Sequence, residues 1–314
     1  MNRLLDVRDV SRRFGKLVAV DGVTFAVERG EVVGFLGPNG AGKSTTMKMI
    51  TGYLAPSAGS ISVAGFDVVQ RPTATKRAIG YLPEGAPLYG DMTPEAFLGF
   101  VADVRGLLGT RRRERLAAVV DRLQLAEVLR QPIETLSKGF KRRVGLAAAI
   151  AHDPDLLILD EPTDGLDPNQ KHEVRALLRE LAPDKAILIS THILEEVEAV
   201  CARAIVVARG RIVADATPEA LLAQAPNHNA VALRVGARDL PAVLELFETL
   251  DGVARVETRN GPNGAAEVLA FPTDGRDLTA EARRAATARG VKLRGLHVER
   301  GRLDDVFREL TRAA

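Results

Sequence analysis

Hydrophobic and polar residues alternate along the first part of the chain. The segments LLDVRDVSRRFG and AVDGVTFAVERG both show this two-residue period, which is typical of β-strands that bury one face. Glycine and charged residues separate the segments and indicate turns. The pattern therefore predicts antiparallel strands from Met1 to about Ala26.

Three short runs contain almost only apolar residues. They are EVVGFLG, DLLILDEP and KAILIST, and such continuous runs indicate strands that are covered on both faces. A glycine-rich loop and the helical segment KSTTMKMITGYL follow the first run. The three runs predict a buried parallel sheet that begins with a strand, a loop and a helix.

Helical periodicity dominates over about residues 84–134. The segment RRRERLAAVVDRLQL has an apolar stripe at helical spacing. Thr93, Pro94 and Glu95 have the properties of an N-cap, a first-turn proline and an early acidic residue. We therefore expect a helical subdomain at about residues 85–150.

After about residue 225 the pattern changes to shorter strands and helices. It predicts the order strand, helix, strand, strand, helix, strand and helix, which is typical of a small α+β domain with a ferredoxin-like arrangement. We therefore divide the chain into a domain of residues 1–225 and an accessory domain of residues 226–314. The predicted elements span residues 230–235, 240–250, 253–259, 266–271, 278–289, 292–299 and 303–311.

The composition is that of an ordinary globular protein. Of the 314 residues, 46% are hydrophobic and 27% are charged. The formal net charge is +2 and aromatic residues make up 4%, so nothing indicates the basic surface or the stacking platform of a nucleic-acid-binding protein. The single cysteine, Cys201, excludes an intramolecular disulfide and fits a reducing compartment.

No segment has the pattern of a targeting peptide or a membrane span. The N-terminus lacks the apolar core of a signal peptide, and no window approaches the roughly 18 apolar residues of a membrane helix. We expect a protein that is soluble or peripheral and that acts on membranes only through a partner.

The clearest chemical motif is GPNGAGKST, which follows the first apolar run. It matches the phosphate-loop pattern, in which glycines let backbone N–H groups approach an anion at a helix N-terminus. Lys43 can reach the β- and γ-phosphates, and Ser44 can bind Mg²⁺. The predicted phosphate site includes Gly37, Asn39, Gly40, Gly42, Lys43, Ser44 and Thr45.

Two further motifs place polar residues at the ends of predicted strands. In LLILDEP, Asp160 ends an apolar strand, where a carboxylate can hold a metal ion, and Glu161 can take a proton from an attacking water. In ILISTHILEE, His192 follows another apolar strand. Because ligands bind outside the carboxyl ends of parallel strands, we predict that His192 senses the γ-phosphate.

A second candidate phosphate-binding segment lies much later in the chain. The stretch LSKGF, residues 136–140, opens a helical segment with a serine and a glycine. These residue types are typical of an anion site at a helix N-terminus.

Together these motifs resemble those of ATP-binding cassette (ABC) ATPases over about residues 3–220. The chain also has a glutamine-loop position in IGYLPE, a D-loop in DGLD and a switch in STH. The stretches LSKGFKRRVGLAAAIAHDP, EPTDGLDPNQ and RLDDVFRELT are similar to those of bacterial ABC-2 type export ATPases. That subgroup includes proteins of multidrug export and of gliding motility.

The resemblance implies an α/β fold of the P-loop NTPase, ABC ATPase class. Such a fold has a parallel core sheet, an antiparallel β subdomain and a helical subdomain, and here the small C-terminal α+β domain follows. The resemblance also implies hydrolysis of ATP with Mg²⁺. In that scheme Ser44, Glu84 and Asp160 lie at the metal, while Glu161, His192 and Glu84 take part in catalysis.

The family resemblance further implies that two chains pack head to tail, as a homodimer or as a pair of ATPase subunits. In such a two-fold dimer, Ser137 and Gly139 contact the γ-phosphate of the ATP that the partner holds, which explains the second phosphate-binding segment. The dimer drives a separate integral membrane permease of the ABC-2 type. The expected location is the cytoplasm, at the inner face of the cell membrane through that permease.

Four positions depart from the usual family pattern. Lys138 replaces the second signature glycine, and Phe140 replaces the usual glutamine. Glu84 stands at the glutamine-loop position, where it adds negative charge beside the triphosphate. Phe14 replaces the common tyrosine that stacks on adenine; its ring face suffices for stacking, but a core phenylalanine on an early strand is an alternative.

Two other functions compete with the exporter subunit. A soluble ABC ATPase that acts on ribosomes or DNA generally has two cassettes, or a coiled-coil or zinc-bearing insertion, and this sequence shows one cassette, no heptad run and no cysteine pair. A nucleotide-dependent scaffold without turnover would not need Glu161. In the helical subdomain, Phe97 and Phe100 either contact the permease or fill the helical core.

Overall fold

The computed structural model describes the chain in five ranges, which are residues 3–85, 87–260, 265–273, 275–299 and 301–313. These residues form two compact units. The first contains residues 3–218 together with 310–313, and the second contains residues 219–309.

The chain up to residue 216 forms ten strands and seven α-helices within the described ranges. The strands are β1 Arg3–Phe14, β2 Leu17–Glu28, β3 Val32–Leu36, β4 Ala58–Val63, β5 Phe66–Asp67, β6 Ile79–Leu82, β7 Leu156–Asp160, β8 Ala186–Thr191, β9 Arg203–Ala208 and β10 Arg211–Ala216. The helices are α1 Lys43–Ile50, α2 Pro72–Ala78, α3 Pro94–Val104, α4 Gly109–Arg122, α5 Lys138–Ile150, α6 Pro168–Leu181 and α7 Leu194–Val200. Short 3-10 helices span Ala126–Val128, Ile133–Thr135 and Ala182–Asp184.

A six-stranded sheet forms the centre of the first unit. Its strand order is β10-β9-β3-β8-β7-β6. All neighbours pair in parallel except β10, which pairs antiparallel with β9. Every residue of β3, β7 and β8 is buried, because helices and the second sheet leave no open face for these apolar runs. The predicted buried parallel sheet is confirmed.

A second, antiparallel sheet has the order β2-β1-β4-β5. The alternating segments at the start of the chain form β1 and β2, which pair antiparallel as expected. The second strand extends to Glu28, two residues beyond the predicted limit. The apolar faces of both sheets meet in one core, which includes Val7, Val23 and Phe35.

The helical region is built as its sequence signals predict. Thr93 caps α3, because its Oγ1 accepts a hydrogen bond from the backbone nitrogen of Ala96 at 3.2 Å. The two candidate phenylalanines differ: Phe97 is buried and fills the helical core, whereas Phe100 is 46% exposed. Among the described residues, no helix has both the length and the apolar character needed to cross a bilayer.

The chain after β10 contains every predicted C-terminal element. They follow the short helix α8 Pro218–Leu222 and are β11 Ala230–Gly236, α9 Leu240–Thr249, β12 Val253–Asn260, β13 Ala265–Pro272, α10 Thr279–Ala288, β14 Gly295–Glu299 and α11 Leu303–Ala313. From β11 to β14 the element order is β-α-β-β-α-β, and the antiparallel sheet has the order β12-β13-β11-β14. The strand β14 starts at Gly295 rather than 292, because residues 291–294 connect α10 to the sheet.

Replacing Phe247 by alanine should destabilise the second unit and leave the chemistry of the first unit intact. Phe247 is fully buried in the core that α9 and α10 form with the sheet, and such truncations cost about 3–5 kcal/mol. Calorimetry should show a lowered unfolding transition, while titration should show unchanged nucleotide binding. The control is Glu248→Ala, an exposed change on the same helix that should alter stability by less than about 0.5 kcal/mol. Lost nucleotide affinity in a Phe247→Ala protein with a folded first unit would contradict this division.

Candidate functional site

The sequence motifs converge at the carboxyl edge of the central parallel sheet. The strand register pairs Leu36 with Thr191 and Asp160 with Ser190. The segments that follow β3, β7 and β8 therefore leave the sheet side by side, which is where ligands bind in parallel α/β sheets.

The loop between β3 and α1 requires glycine at two of its positions. Gly42 is the N-cap of α1 and has φ of 106°, and a Cβ there would lie 2.6 Å from the carbonyl oxygen of Ala19. A Cβ on Gly37 would lie 2.4 Å from the carbonyl oxygen of Val207. Between them, Asn39 and Gly40 are exposed. The loop thus lies tight against the protein at both ends and open to a ligand in the middle.

Lys43 begins α1 and lies across the loop. Its ammonium donates hydrogen bonds to the carbonyl oxygens of Gly37, at 2.6 Å, and Pro38, at 3.2 Å. The side chain is only 8% exposed, and burial lowers the pKa of Lys43 despite the nearby negative charge. Ser44 and Thr45 follow on the first turn and are half-buried. A buried cation at a helix N-terminus favours an anionic ligand.

Asp160 ends β7 with a fixed side chain. It is 3% exposed, and its Oδ1 accepts a hydrogen bond from Ser190 Oγ at 2.6 Å. Sequence reasoning missed Ser190, because a serine inside an apolar strand has no motif of its own. The second carboxylate oxygen stays available for a ligand.

Glu161 and His192 lie in contact. Glu161 has φ of 51°, an uncommon conformation for a residue with a Cβ, which turns the chain directly after β7. Its Oε1 lies 2.9 Å from His192 Nδ1, and its Oε2 lies 3.4 Å from Thr191 Oγ1. Burial raises the pKa of Glu161, while the hydrogen bond from His192 opposes that shift. A carboxylate with this environment is suited to accepting a proton.

A second acidic residue makes hydrogen bonds to the segments that carry Glu161 and His192. Glu196 on α7 is buried and accepts hydrogen bonds from the hydroxyls of Thr163 and Thr191. It therefore links the segments on either side of Glu161 to α7. From the sequence alone, Glu196 is only an acidic residue in the first turn of a helix. The neighbouring residues in the chain therefore gave no indication of this contact.

The signature segment forms the N-terminus of α5. Ser137 is exposed and caps the helix, because its Oγ accepts a hydrogen bond from the Phe140 backbone nitrogen at 3.3 Å. Gly139 is packed so tightly that a Cβ would lie 2.5 Å from Gln170 Oε1 on α6. Within the described residues, neither Ser137 nor Gly139 hydrogen-bonds to the phosphate loop.

The unusual residues have specific surroundings. Lys138 pairs with Asp164 at 3.0 Å, and the alkyl chain of Lys138 lies against Gly165, so the signature contacts the D-loop of its own chain. Glu84 lies exposed on the turn after β6, and its charge acts on Lys43.

Phe14 lies at the protein surface. It is 45% exposed, which shows that the core interpretation of this residue is wrong. The Arg12 guanidinium lies 4.7 Å from the centre of its ring, and such a cation can stabilise the ring orientation. The exposed ring is compatible with stacking on a base.

These residues fit a magnesium nucleotide. A glycine-bounded loop and a buried ammonium suit phosphate oxygens, and a serine hydroxyl with a fixed carboxylate suits Mg²⁺. The donors available to such a ligand are Lys43 and the loop amides, and the oxygens that could hold the metal ion are those of Ser44, Asp160 and Glu84.

Comparisons with known proteins agree with this chemistry. Residues 20–164 match the family model described as "ABC transporter". The chain is 33% identical over 310 residues to Nod factor export ATP-binding protein I of Ralstonia nicotianae, covering 98% of this chain and 94% of that protein. It is 32% identical over 313 residues to the linearmycin resistance ATP-binding protein LnrL of Bacillus subtilis, covering 98% of each.

Two further matches cover about 70% of the chain. The probable multidrug ABC transporter ATP-binding protein YbhF of Escherichia coli is 37% identical over 71% of this chain, but the match spans only 39% of that protein. The solved structure of an ATP-binding subunit of an ABC transporter is 36% identical, with a TM-score of 0.66, and covers 70% of this chain and 92% of that one. The predicted ABC ATPase fold is confirmed by these matches. The chain therefore belongs to the family of ABC transporter ATP-binding proteins, which are ATPases.

Proposed function

We propose that this protein is the ATP-hydrolysing subunit of an ABC-2 type exporter and that it works as a head-to-tail dimer with a separate permease. The observation that carries the proposal is the contact between Glu161 and His192 beside Asp160 and Lys43. It joins a base, an orienting group, a metal ligand and a phosphate-binding cation at one edge of the sheet, as water attack on a γ-phosphate requires.

The phosphate loop holds the triphosphate in this proposal. Lys43 would exchange its bonds to loop carbonyls for bonds to the β- and γ-phosphates. The amides around Asn39, Gly40 and Gly42 bind the phosphate oxygens, and Thr45 lies in the first turn of the helix beneath them. These interactions position the nucleotide and offset its charge.

Ser44 and Asp160 would hold Mg²⁺, with the Glu84 carboxylate as a further oxygen donor. When bound, the ion neutralises charge on the β- and γ-phosphates. Asp160 is suited to this task because Ser190 fixes its Oδ1. A carboxylate that is already oriented loses little conformational freedom on binding a metal ion.

Glu161 is the general base of the reaction. Its carboxylate takes a proton from the attacking water, and burial, which raises its pKa, favours holding that proton. His192 keeps one carboxylate oxygen in place and presents its other ring nitrogen towards the γ-phosphate. Phe14 stacks on the adenine ring.

The signature segment acts on the ATP of the partner chain. Ser137 is exposed at the positive end of α5, and a Cβ at position 139 would displace the end of the Gln170 side chain. In a two-fold, head-to-tail pair, this helix end meets the partner's γ-phosphate and completes the site. ATP then binds the closed dimer preferentially and shifts the population towards it.

Export is supported by the relatives that match nearly the whole chain. Two of them are named for Nod factor export and for linearmycin resistance. By analogy, the present protein passes the closure of its dimer to an integral membrane permease of the ABC-2 type. It would lie on the inner face of the cell membrane, with Phe100 among the residues near that permease.

Glu161→Gln should bind ATP and hydrolyse it slowly. Loss of a general base lowers turnover by about 10²–10⁴, while Lys43 and the loop are unchanged. Phosphate release and ATP titration measure the two properties, and size-exclusion chromatography with ATP should show more dimer than for the wild type. The control is Glu114→Gln, an exposed change on α4. Phosphate release at the wild-type rate would remove Glu161 from this role.

Mixing two inactive variants tests the shared site. Lys43→Ala lacks the phosphate-loop cation, and Ser137→Arg places a bulky side chain where the partner's γ-phosphate should sit. In a head-to-tail heterodimer both lesions fall on one composite site, and the other site is intact. Turnover should therefore return on mixing.

The outcome depends on whether Ser137 acts on its own chain or on the partner. If Ser137 served its own phosphate loop, each site of the heterodimer would carry one lesion and no turnover would return. Heterodimers are confirmed with two affinity tags, and a mixture of wild type with Lys43→Ala shows whether one intact site suffices. Confirmed heterodimers without recovery, together with an active control mixture, would contradict the shared site.

A further inference from the structure

One buried arginine lies beneath the candidate site and has no role in the chemistry described so far. Arg142 is on α5, two residues after the signature segment, and is only 5% exposed. A buried guanidinium is costly unless hydrogen bonds and opposite charges compensate it. Its partners therefore indicate why this position carries an arginine.

Arg142 joins the ends of two neighbouring strands. Its Nη1 donates to the carbonyl oxygen of Pro83 at 3.2 Å, directly after β6. Its Nη2 donates to the carbonyl oxygens of Asp160, at 3.2 Å, and Glu161, directly after β7. The strands β6 and β7 pair in parallel up to Leu82 and Leu159. The planar guanidinium thus binds carbonyls at the point where the ladder ends, which a single ammonium could not do with the same geometry.

The surroundings of Arg142 are also strongly acidic. Burial lowers the pKa of Arg142, and four carboxylates oppose that shift. The four are Asp164, Asp160, Glu161 and Glu84. Three of the same carboxylates, Glu161, Asp160 and Glu84, also act on Lys43, another buried cation.

Glu84 is the unusual member of this group of carboxylates around Arg142 and Lys43. The position resembles one that usually carries a neutral glutamine, so this site has one extra negative charge. Glu84 directly follows Pro83, whose carbonyl Arg142 binds. If Arg142 were absent, Lys43 would have to offset more of this negative charge while also binding the triphosphate.

We propose that Arg142 is a positioning residue, which orients Glu161 and the Pro83–Glu84 segment through their backbone and offsets the charge of Glu84. This inference rests on the proposed ATPase function and concerns the same site. Arg142 touches neither nucleotide nor water in this scheme and acts through the residues that do.

A double-mutant cycle between Arg142 and Glu84 tests whether Arg142 offsets the negative charge of Glu84. Binding of a fluorescent ATP analogue with Mg²⁺ is measured for wild type, Arg142→Gln, Glu84→Gln and the double variant. Arg142→Gln should weaken binding, because the remaining carboxylates repel the triphosphate. Adding Glu84→Gln should recover roughly two- to hundredfold of that loss, the range for residues in one charge network. Strictly additive effects would overturn this part of the proposal.

Arg142→Lys tests whether Arg142 positions Glu161. The lysine keeps the positive charge but lacks the planar guanidinium that binds the carbonyls of two strand ends. Nucleotide affinity should stay close to that of the wild type, while kcat should fall about tenfold or more, as expected when one or two hydrogen bonds that orient Glu161 are lost. Turnover at the wild-type rate would contradict a positioning role. If Arg142→Gln does not fold, this variant alone decides the question.

Arg143 supplies the matched control. It is the next residue on α5, it is buried to a similar degree, and it donates to the carbonyl oxygen of Leu123, with its guanidinium over the Phe140 ring. Glu84→Gln should not rescue Arg143→Gln, because Arg143 lies against the helical region. Equal rescue of both arginine variants would show a general effect on stability and would refute the specific pairing.

The experiment also separates this inference from the proposed function. If the wild type hydrolyses no ATP, the proposed function fails, whereas the binding cycle still measures the coupling of Arg142 with Glu84. If the wild type hydrolyses ATP and Glu161→Gln does not, additive effects at Arg142 and Glu84 contradict the inference alone.

Discussion

The parallel pairing of β3, β8 and β7 is the constraint on which the whole site depends. Their register places Leu36 beside Thr191 and Asp160 beside Ser190. A slip of one residue would turn Asp160 to the opposite face of the sheet and separate it from the phosphate loop. Because the three strands are fully buried, their apolar side chains enforce this register. Packing in the core thus positions polar groups that take no part in the core.

Charge balance is the second constraint, since cations and carboxylates are buried within one small region. Lys43 donates hydrogen bonds to loop carbonyls, and Asp160 accepts one from Ser190. Glu161 has its neighbour His192. Each group is hydrogen-bonded before any ligand arrives, which lowers the cost of burial and orients the groups in advance. In the proposed site, a bound triphosphate would replace hydrogen bonds that already exist.

Sequence patterns predicted the elements and the motifs well, because both depend on neighbours in the chain. The apolar runs, the alternating segments and the loop glycines each carry a local signal. Ser190 and Arg142 were missed because their partners lie far away in the sequence; Arg142, for example, binds residues 18, 19 and 59 positions away. Glu196 was missed because one of its two partners, Thr163, lies 33 positions away. The exposure of Phe14 also depended on tertiary packing, and its sequence context left two alternatives open.

The helix α5 connects the two kinds of site that the proposed dimer contains. Its N-terminus, at Ser137, faces outward, while Arg142 binds the backbone beneath the site of its own chain. Arg142 stands five positions after Ser137, a rise of about 7.5 Å along the helix, and such a short helical segment is rigid. Any displacement of Ser137 by the partner's γ-phosphate would therefore move the guanidinium that holds Asp160 and Glu161. In the proposed head-to-tail pair, a displacement of α5 by one ATP would therefore act on the general base that is proposed for the other site.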